Sequence, residues 1–164
     1  MILMLTRDLL LELFEYRDGI LYWKISKAFC IQRGDVAGTI NSKGYHVTSI
    51  NYKPRLNHRL VFLMHHGYLP KMIDHIDGDK LNNRIENLRP ANPFENACNS
   101  KLRSKNKSGY PGVSWSSQSG KWKVTIQIAG KKMHVGFYTS LEEAGKVSIE
   151  IRKENHGEFY REMR

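Results

Sequence analysis

A polar segment in the middle of the chain carries side chains that suit metal-assisted hydrolysis. Asp74 and His75 follow an apolar Met-Ile pair, so we expect them at the end of a strand or hairpin arm. Asn87 and Asn96 follow further along, the second inside a segment that begins like a helix. A strand, a loop, a second strand and a helix would bring all four side chains within reach of one another.

The residue types define the chemistry that such a group could perform. Asp74 offers an anionic oxygen and Asn96 a neutral carbonyl oxygen, and together they could hold Mg²⁺, which takes few protein ligands. Histidine exchanges protons readily near neutral pH, so His75 could take a proton from water. Taken singly, each residue has a plainer interpretation: Asp74 as a turn or cap, His75 as a surface or core histidine, Asn87 as a turn former.

The elements before this segment can be predicted from caps and periodicity. Thr6 is a plausible N-cap for a first helix, "RDLLLELFEY", which we expect Gly19 to end. A hairpin is expected where Gly44 separates two β-rich runs. The segment "NHRLVFLMHHGYLP" predicts a second helix with Asn57 as its N-cap and Gly67 as its C-cap.

The elements after this segment have clearer boundaries. Asn92 begins the helix of "NPFENACNS" with a capping box, in which glutamate stands three residues later and proline follows the cap. After Gly109, three runs of period two are separated at Gly120 and Gly130, and these predict three antiparallel strands. Ser140 is the predicted N-cap of a closing helix.

Composition indicates a polyanionic partner. The 164 residues carry a formal net charge of +10 and a sequence pI of about 9.7. Residues 97–164 hold 13 Lys and Arg against 6 Asp and Glu, so the back half is the expected site of contact with nucleic acid. No apolar run approaches the roughly 18 residues of a membrane span. Cys30 and Cys98 lack any pairing pattern, which predicts free thiols and a cytoplasmic setting.

Residues 58–99, with the run "IDHIDGDKLNNRIENLRPANPFENACN", resemble the HNH homing endonucleases of bacteriophages. The resemblance implies a ββα-metal fold and metal-dependent hydrolysis of DNA phosphodiester bonds. It implies Mg²⁺ as cofactor, with Mn²⁺ as a substitute, held by Asp74 and Asn96. His75 would be the general base, and Asn87 would fix the loop and orient the histidine.

The same resemblance leaves several neighbours with secondary roles. His58 and Arg59 match a recurrent position, where His58 would orient the site or touch phosphate, or else cap the helix. Asp77 and Asp79 suit a tight turn, and we assign them a structural role. The zinc-binding cysteine pairs of some relatives are absent, so hydrophobic packing must hold the module together.

Residues 109–157 resemble the Apetala/ethylene-response-factor DNA-binding domain through "YPGVSW", "GKW", "VGFYTSLEEA" and a terminal "HG". The resemblance implies that a three-stranded sheet lies in the DNA major groove with a helix behind it. Gln127 could pair with adenine, and Lys132 with guanine or phosphate. Trp122 is expected in the core, and Trp115 suits either the core or the groove. The positions matched as DNA-facing are Ser114, Ser116, Lys123, Thr125, Gln127, Lys132 and His134.

A basic segment, "KLRSKNKSG", separates the two matches. It suits a plain linker or a phosphate contact, the latter through Lys105 and Lys107. We therefore predict an α+β chain in which a ββα-metal (HNH) nuclease module precedes a three-stranded antiparallel sheet packed on one helix. The predicted divisions are a supporting segment 1–57, the nuclease motif 58–101, a linker 102–108 and a DNA-binding domain 109–164.

The predicted function is a metal-dependent DNA endonuclease of the homing type acting on double-stranded DNA in the host-cell cytoplasm, with no membrane partner. The alternative is a non-catalytic DNA-binding or regulatory protein that retains the HNH fold. An RNA-binding factor has less support, because the predicted sheet lacks ring-stacking motifs. The sequence leaves open whether the protein is a monomer or a homodimer, and whether one DNA strand or both are cut.

Overall fold

The computed structural model describes residues 5–27, 30–99, 102, 106–128 and 130–160. The chain forms two compact units, Met1–Ala91 and Asn92–Arg164. Helices and strands occur in both, as the predicted α+β class requires. In the described part of the chain, no helix has the length and hydropathy needed to cross a bilayer.

Within its described residues, the first unit combines two helices with three small antiparallel sheets. The elements are α1 (Arg7–Leu13), β1 (Phe14–Arg17), β2 (Ile20–Trp23), β3 (Thr39–Ile40), β4 (His46–Ile50), β5 (Lys53–Leu56), α2 (Asn57–His66), β6 (Ile73–His75) and β7 (Leu88–Pro90). The sheets pair β1 with β2, β3 with β4 and β4 with β5, and β6 with β7. A 3₁₀ turn at Ile85–Asn87 precedes the last strand.

The first helix is shorter than its predicted range. Thr6 caps it as expected, but α1 ends at Leu13, and Phe14 begins a strand whose first residue pairs with Trp23. Gly19 therefore does not end a helix. It lies with Asp18 in the turn of the β1–β2 hairpin, where both residues have positive φ, of 88° and 47°. Such a turn matches the twist of the flanking strands, and it lets Phe14 be buried.

The second helix begins differently from its prediction. Asn57 is its first residue rather than its cap, and Leu56 precedes it without a capping side chain. The Asn57 amide is buried, donates to the Ala37 carbonyl at 2.8 Å and accepts from the Thr48 hydroxyl at 2.7 Å. This side chain therefore ties α2 to the neighbouring strands. The predicted Gly67 C-cap is confirmed, with a φ of 75° and an N–H bond to Leu63.

The predicted hairpin around Gly44 is a three-stranded sheet, because the second arm of the prediction contains a further turn at Asn51 and Tyr52, both with positive φ.

The buried face of α2 packs with residues of α1 and the strands in the core of the first unit. That core consists of Leu10, Phe14, Leu21, Trp23, Ala37, Ile50, Leu60, Val61, Phe62, Leu63, Met64, Ile73 and Leu88.

The second unit contains the predicted sheet and helix. The strands are antiparallel in the order β10-β9-β8, and the Ser140 hydroxyl caps α4 by accepting from the Glu143 N–H. Val113, Val124 and Ala144 form the buried core between sheet and helix, with Trp122 packed against them. The elements are α3 (Pro93–Cys98), β8 (Val113–Ser116), β9 (Lys121–Ile128), β10 (Lys131–Tyr138) and α4 (Leu141–His156), followed by a 3₁₀ turn at Gly157–Phe159.

The division between the units falls before α3, within the predicted 58–101 module. The α3 helix belongs to the second unit, in which Phe94 contacts the ring of His156 with centroids 5.7 Å apart. The predicted linker, 102–108, also extends too far at its C-terminal end. Ser108 is buried and its hydroxyl donates to the Val113 carbonyl at 2.9 Å, so this residue belongs to the folded unit. The predicted capping box at Asn92 is confirmed.

Candidate active site in the first unit

His75 ends strand β6 and is buried among other rings. Its own exposure is 5%. The centroid of His58 lies 5.0 Å away in an edge-to-face arrangement, and that of Tyr45 lies 6.2 Å away. The three rings come from β6, from α2 and from the turn before β4, so the fold fixes His75 from several sides.

One side chain fixes the orientation of the His75 imidazole directly. Nε2 of His75 lies 3.1 Å from Oδ1 of Asn83, and Asn83 is itself buried. An amide oxygen only accepts, so the proton of a neutral imidazole in this contact is on Nε2 and the lone pair is on Nδ1. The sequence analysis did not identify Asn83, because its only signal was the adjacent pair Asn82-Asn83 in a loop.

Asp74 is paired with an arginine across the β6–β7 sheet. Asp74 and Arg89 are register partners, and Nε and Nη2 of Arg89 donate to Oδ2 of Asp74 at 3.0 and 2.9 Å. The Asp74 side chain is 6% exposed and that of Arg89 12%, so the charges compensate each other away from bulk water. Arg89 was also absent from the predicted site.

The donor set fits a hard cation better than a zinc ion. Asp74 supplies a buried anionic oxygen, the kind of ligand that Mg²⁺ prefers. Over the described ranges, no group of three or more His, Cys, Asp or Glu side chains comes together as a metal cluster. A cation held by few protein oxygens, and keeping water, is the kind that these residues fit.

Asn87 holds the loop between β6 and β7 through three side-chain hydrogen bonds. Its Oδ1 accepts from the Asp77 N–H at 3.0 Å. Its Nδ2 donates to Oδ1 of Asp77 at 2.9 Å and to the Asn82 carbonyl at 2.8 Å. The predicted role in fixing the loop agrees with these bonds. Its predicted role in orienting His75 stays a prediction, and Asn83 bonds to the His75 ring.

Asp77 and Asp79 form the turn that the sequence predicted. Asp77 Oδ1 accepts from the Asp79 N–H at 2.8 Å, and Asp79 Oδ1 accepts from the Leu81 N–H at 3.0 Å. Burial raises the pKa of Asp77, but hydrogen bonds from Asn82, Asp79 and Asn87 outweigh burial and hold the pKa below its usual value. Asp77 is therefore an anionic acceptor at the centre of the loop.

His58 and Arg59 behave differently from each other. Burial, together with the nearby His75 and Arg59, lowers the pKa of His58 to about 3, so His58 is neutral at physiological pH. The guanidinium of Arg59 donates to the Pro70 carbonyl at 3.2 Å, which ties down the segment after α2. His58 contacts the candidate base, whereas the visible role of Arg59 is structural.

Asn96, the predicted second metal ligand, lies in helix α3 and so in the second unit. The capping box places it in the first turns, where its backbone N–H bonds to the Asn92 carbonyl at 3.1 Å. Its partnership with Asp74 stays a prediction.

The sheet of the second unit places the predicted DNA-facing residues on one side. Register pairs Ser114 with Lys123, Thr125 with His134 and Gln127 with Lys132. This face is opposite the side that packs on α4, and we call it the polar sheet face. Its members are Ser114, Ser116, Lys121, Lys123, Thr125, Gln127, Lys132, His134 and Phe137.

The remaining predicted contacts are distributed around this sheet. Lys107 is exposed, whereas Lys105 lies outside the described residues. Trp122 packs against the core as predicted. Trp115 is its register partner, with ring centroids 5.2 Å apart and 54% of Trp115 exposed. Trp115 therefore lies on the helix side of the sheet and not on the polar sheet face.

Comparison with known proteins finds a family and two relatives that resemble this chain. A family model described as HNH endonuclease matches residues 55–97. Protein 3.8 of Escherichia phage T7 is 38% identical over 112 residues, which are 67% of this chain and 92% of the phage protein. The uncharacterized HNH endonuclease L560 of Acanthamoeba polyphaga mimivirus is 30% identical over 122 residues, 73% of this chain and 63% of that protein. No solved structure matches the chain.

Proposed function

We propose that the site around His75 performs the hydrolysis of DNA phosphodiester bonds that membership of the HNH endonuclease family indicates for this chain. The observation that carries this assignment is the buried contact between His75 Nε2 and Asn83 Oδ1. The preceding residue, Asp74, supplies a buried carboxylate. A proton acceptor held in one orientation and an anionic oxygen that can hold a cation are the groups that metal-assisted hydrolysis uses.

His75 is the proposed general base. With the proton on Nε2, the lone pair on Nδ1 takes the proton of the attacking water as its oxygen adds to phosphorus and the bond to the leaving oxygen breaks. Asn83 then stabilises the imidazolium, because its oxygen keeps accepting from Nε2. His58 stays neutral beside this ring, so it adds no positive charge that would oppose protonation of His75.

Asp74 and Asn96 are the proposed ligands of one Mg²⁺, for which Mn²⁺ can substitute. When bound, the ion supplies positive charge that stabilises the phosphate and the leaving oxygen in the transition state. Asp74 contributes the anionic oxygen, and Arg89 limits the unbalanced charge at this position. Asn87 keeps the loop closed through Asp77.

The second unit is proposed to bind the DNA duplex through the polar sheet face. The supporting observations are the shared orientation of the predicted residues and the presence of Lys123 and Lys132 among them, with no Asp or Glu among the described residues of this face. We also propose that this unit is similar to the Apetala/ethylene-response-factor domain. The whole protein would then act as a homing endonuclease. One site per chain makes a nick in one strand the expected product, and a double-strand break would need two copies or two cuts.

The test is incubation of the full chain with supercoiled plasmid and MgCl₂, with EDTA as the control. We expect open-circular product that requires the added ion. The rival non-catalytic DNA-binding protein predicts a mobility shift of the plasmid with no new product in any divalent metal, and that result would overturn the assignment.

A further inference from the structure

An exposed phenylalanine, Phe137, lies on the polar sheet face, and no specific role has been assigned to it so far. Phe137 is 45% exposed, and its ring centroid lies 4.7 Å from that of His134. Its register partner is Lys123, at the middle of the basic face. The sequence analysis did not select Phe137, since a regular alternation would place it on the helix side.

A β-bulge accounts for this placement. The pairing of β10 with β9 shifts between His134 and Gly136, so Val135 is the extra residue. Without the shift, Phe137 would stand opposite Trp122 and face the core. With it, Tyr138 takes that position, and Phe137 turns outward. Bulges commonly redirect a side chain at functional positions.

The surroundings of the ring favour a polyanion as its partner. Residues 96–141 contain no Asp or Glu, whereas Lys121, Lys123 and Lys132 share the face with Phe137. An exposed apolar ring on a surface with lysines and no carboxylates fits a partner that offers apolar groups alongside negative charge. Duplex DNA does so, because the C5-methyl group of thymine projects into the major groove between the phosphate strands.

We propose that Phe137, supported by His134, contacts a thymine methyl group in duplex DNA bound to the polar sheet face. This rests on the proposed binding of DNA by the second unit and adds to it a base preference. The base faces of an intact duplex are stacked and inaccessible, so the methyl group is the apolar feature within reach of the ring. Phe137 then reads sequence, while the lysines supply affinity that does not depend on sequence.

The experiment measures binding of the full chain, in EDTA to prevent cleavage, to two mixed-sequence duplexes that differ only in carrying thymine or deoxyuridine. We expect the wild type to bind the thymine duplex about threefold to fourfold more tightly for each methyl group contacted, the worth of one buried carbon. F137A should bind both duplexes alike. F137L keeps an apolar side chain and should retain part of the preference.

Two variants serve as controls. Met133 is 50% exposed but pairs with Ile126 on the helix side, so M133A should leave binding and preference unchanged. K123A should weaken binding to both duplexes equally. Melting curves establish that each variant is folded, which we expect for F137A because Phe137 is outside the buried core.

The outcomes separate this proposal from the one on which it rests. A thymine preference that survives in F137A, or an equal loss on both duplexes, would overturn the methyl contact while leaving DNA binding intact. Tighter, ring-dependent binding of single-stranded DNA would overturn it in favour of base stacking. If neither K123A nor F137A changes binding to any duplex, the second unit is not the DNA-binding surface and both proposals fail.

Discussion

Asp74 and Arg89 face each other across the β6–β7 pair, and both donor nitrogens of the arginine reach the same carboxylate oxygen. The pair compensates the charge of a buried carboxylate. In the proposed mechanism Arg89 and the metal ion act on this same group, so each should stabilise it when the other is absent.

R89M should destabilise the metal-free protein by about 3 kcal/mol, because it leaves Asp74 buried without a compensating charge. Added Mg²⁺ should raise the melting temperature of R89M by more than that of the wild type. The control is R59M, since Arg59 bonds to a carbonyl and not to a carboxylate. An equal response to Mg²⁺ in R89M and the wild type would argue against Asp74 as a metal ligand.

H75A should lower the rate of plasmid cleavage roughly 100- to 10,000-fold, the usual contribution of a general base, and leave DNA binding nearly unchanged. Nicking and mobility shift are measured on the same preparations. H66A, at an exposed histidine of α2, is the matched control and should cleave normally. Near wild-type nicking by H75A would exclude His75 as the base.

N83L should lower the cleavage rate about fivefold to tenfold, because one hydrogen bond of about 1 kcal/mol no longer holds the imidazole. N83D keeps an oxygen acceptor and should retain more activity. Nitrogen-15 shifts of the His75 ring report which nitrogen carries the proton. We expect the Nε2–H form in the wild type and a mixture in N83L; an unchanged ring spectrum in N83L would mean that Asn83 does not set the tautomer.

D74A should lose activity at every Mg²⁺ concentration, whereas N96A should be partly rescued by excess ion. The reason is that removing a neutral oxygen ligand costs less electrostatic attraction for the cation than removing an anionic one. Titration of Mg²⁺ against cleavage rate provides the comparison. A milder defect in D74A than in N96A would reverse the proposed order of the two ligands.

Stability should depend on pH through His58. Its folded pKa of about 3 lies below the ordinary value of 6.5, so the unfolded chain binds more protons between those values. The contribution of the neutral His58 ring to the free energy of unfolding is fully present above about pH 6.5 and is lost as pH falls towards 3. Urea unfolding at a series of pH values should therefore show that the free energy of unfolding decreases less with falling pH in H58F than in the wild type. H66F, at an exposed position, should follow the wild type.

Local signals predicted much of this structure. The capping box at Asn92 and the N-caps at Thr6 and Ser140 depend on neighbours in the sequence, and they are confirmed. The strand end at His75 followed from an apolar pair and a polar turn. Each of these features is decided within a few residues, where propensity and hydrogen bonding act together.

The features that were missed depend on contacts between distant segments. Whether Asn82 or Asn83 reaches His75 is set by the path of the loop, which no local pattern records. Asn57 was taken for a cap, because its buried partners Ala37 and Thr48 come from other strands. Phe137 was missed because a single extra residue in β10 reverses the alternation after it.

The bonds that Asn87 makes to Asp77 and Asn82 also bear on the thermodynamics of substrate capture. They close the segment between β6 and β7 before any DNA arrives. The conformational entropy of this segment is therefore lost when the protein folds and not when DNA binds. In the proposed mechanism, the loop beside His75 is therefore ordered before DNA binds, and none of the binding energy is spent on ordering it.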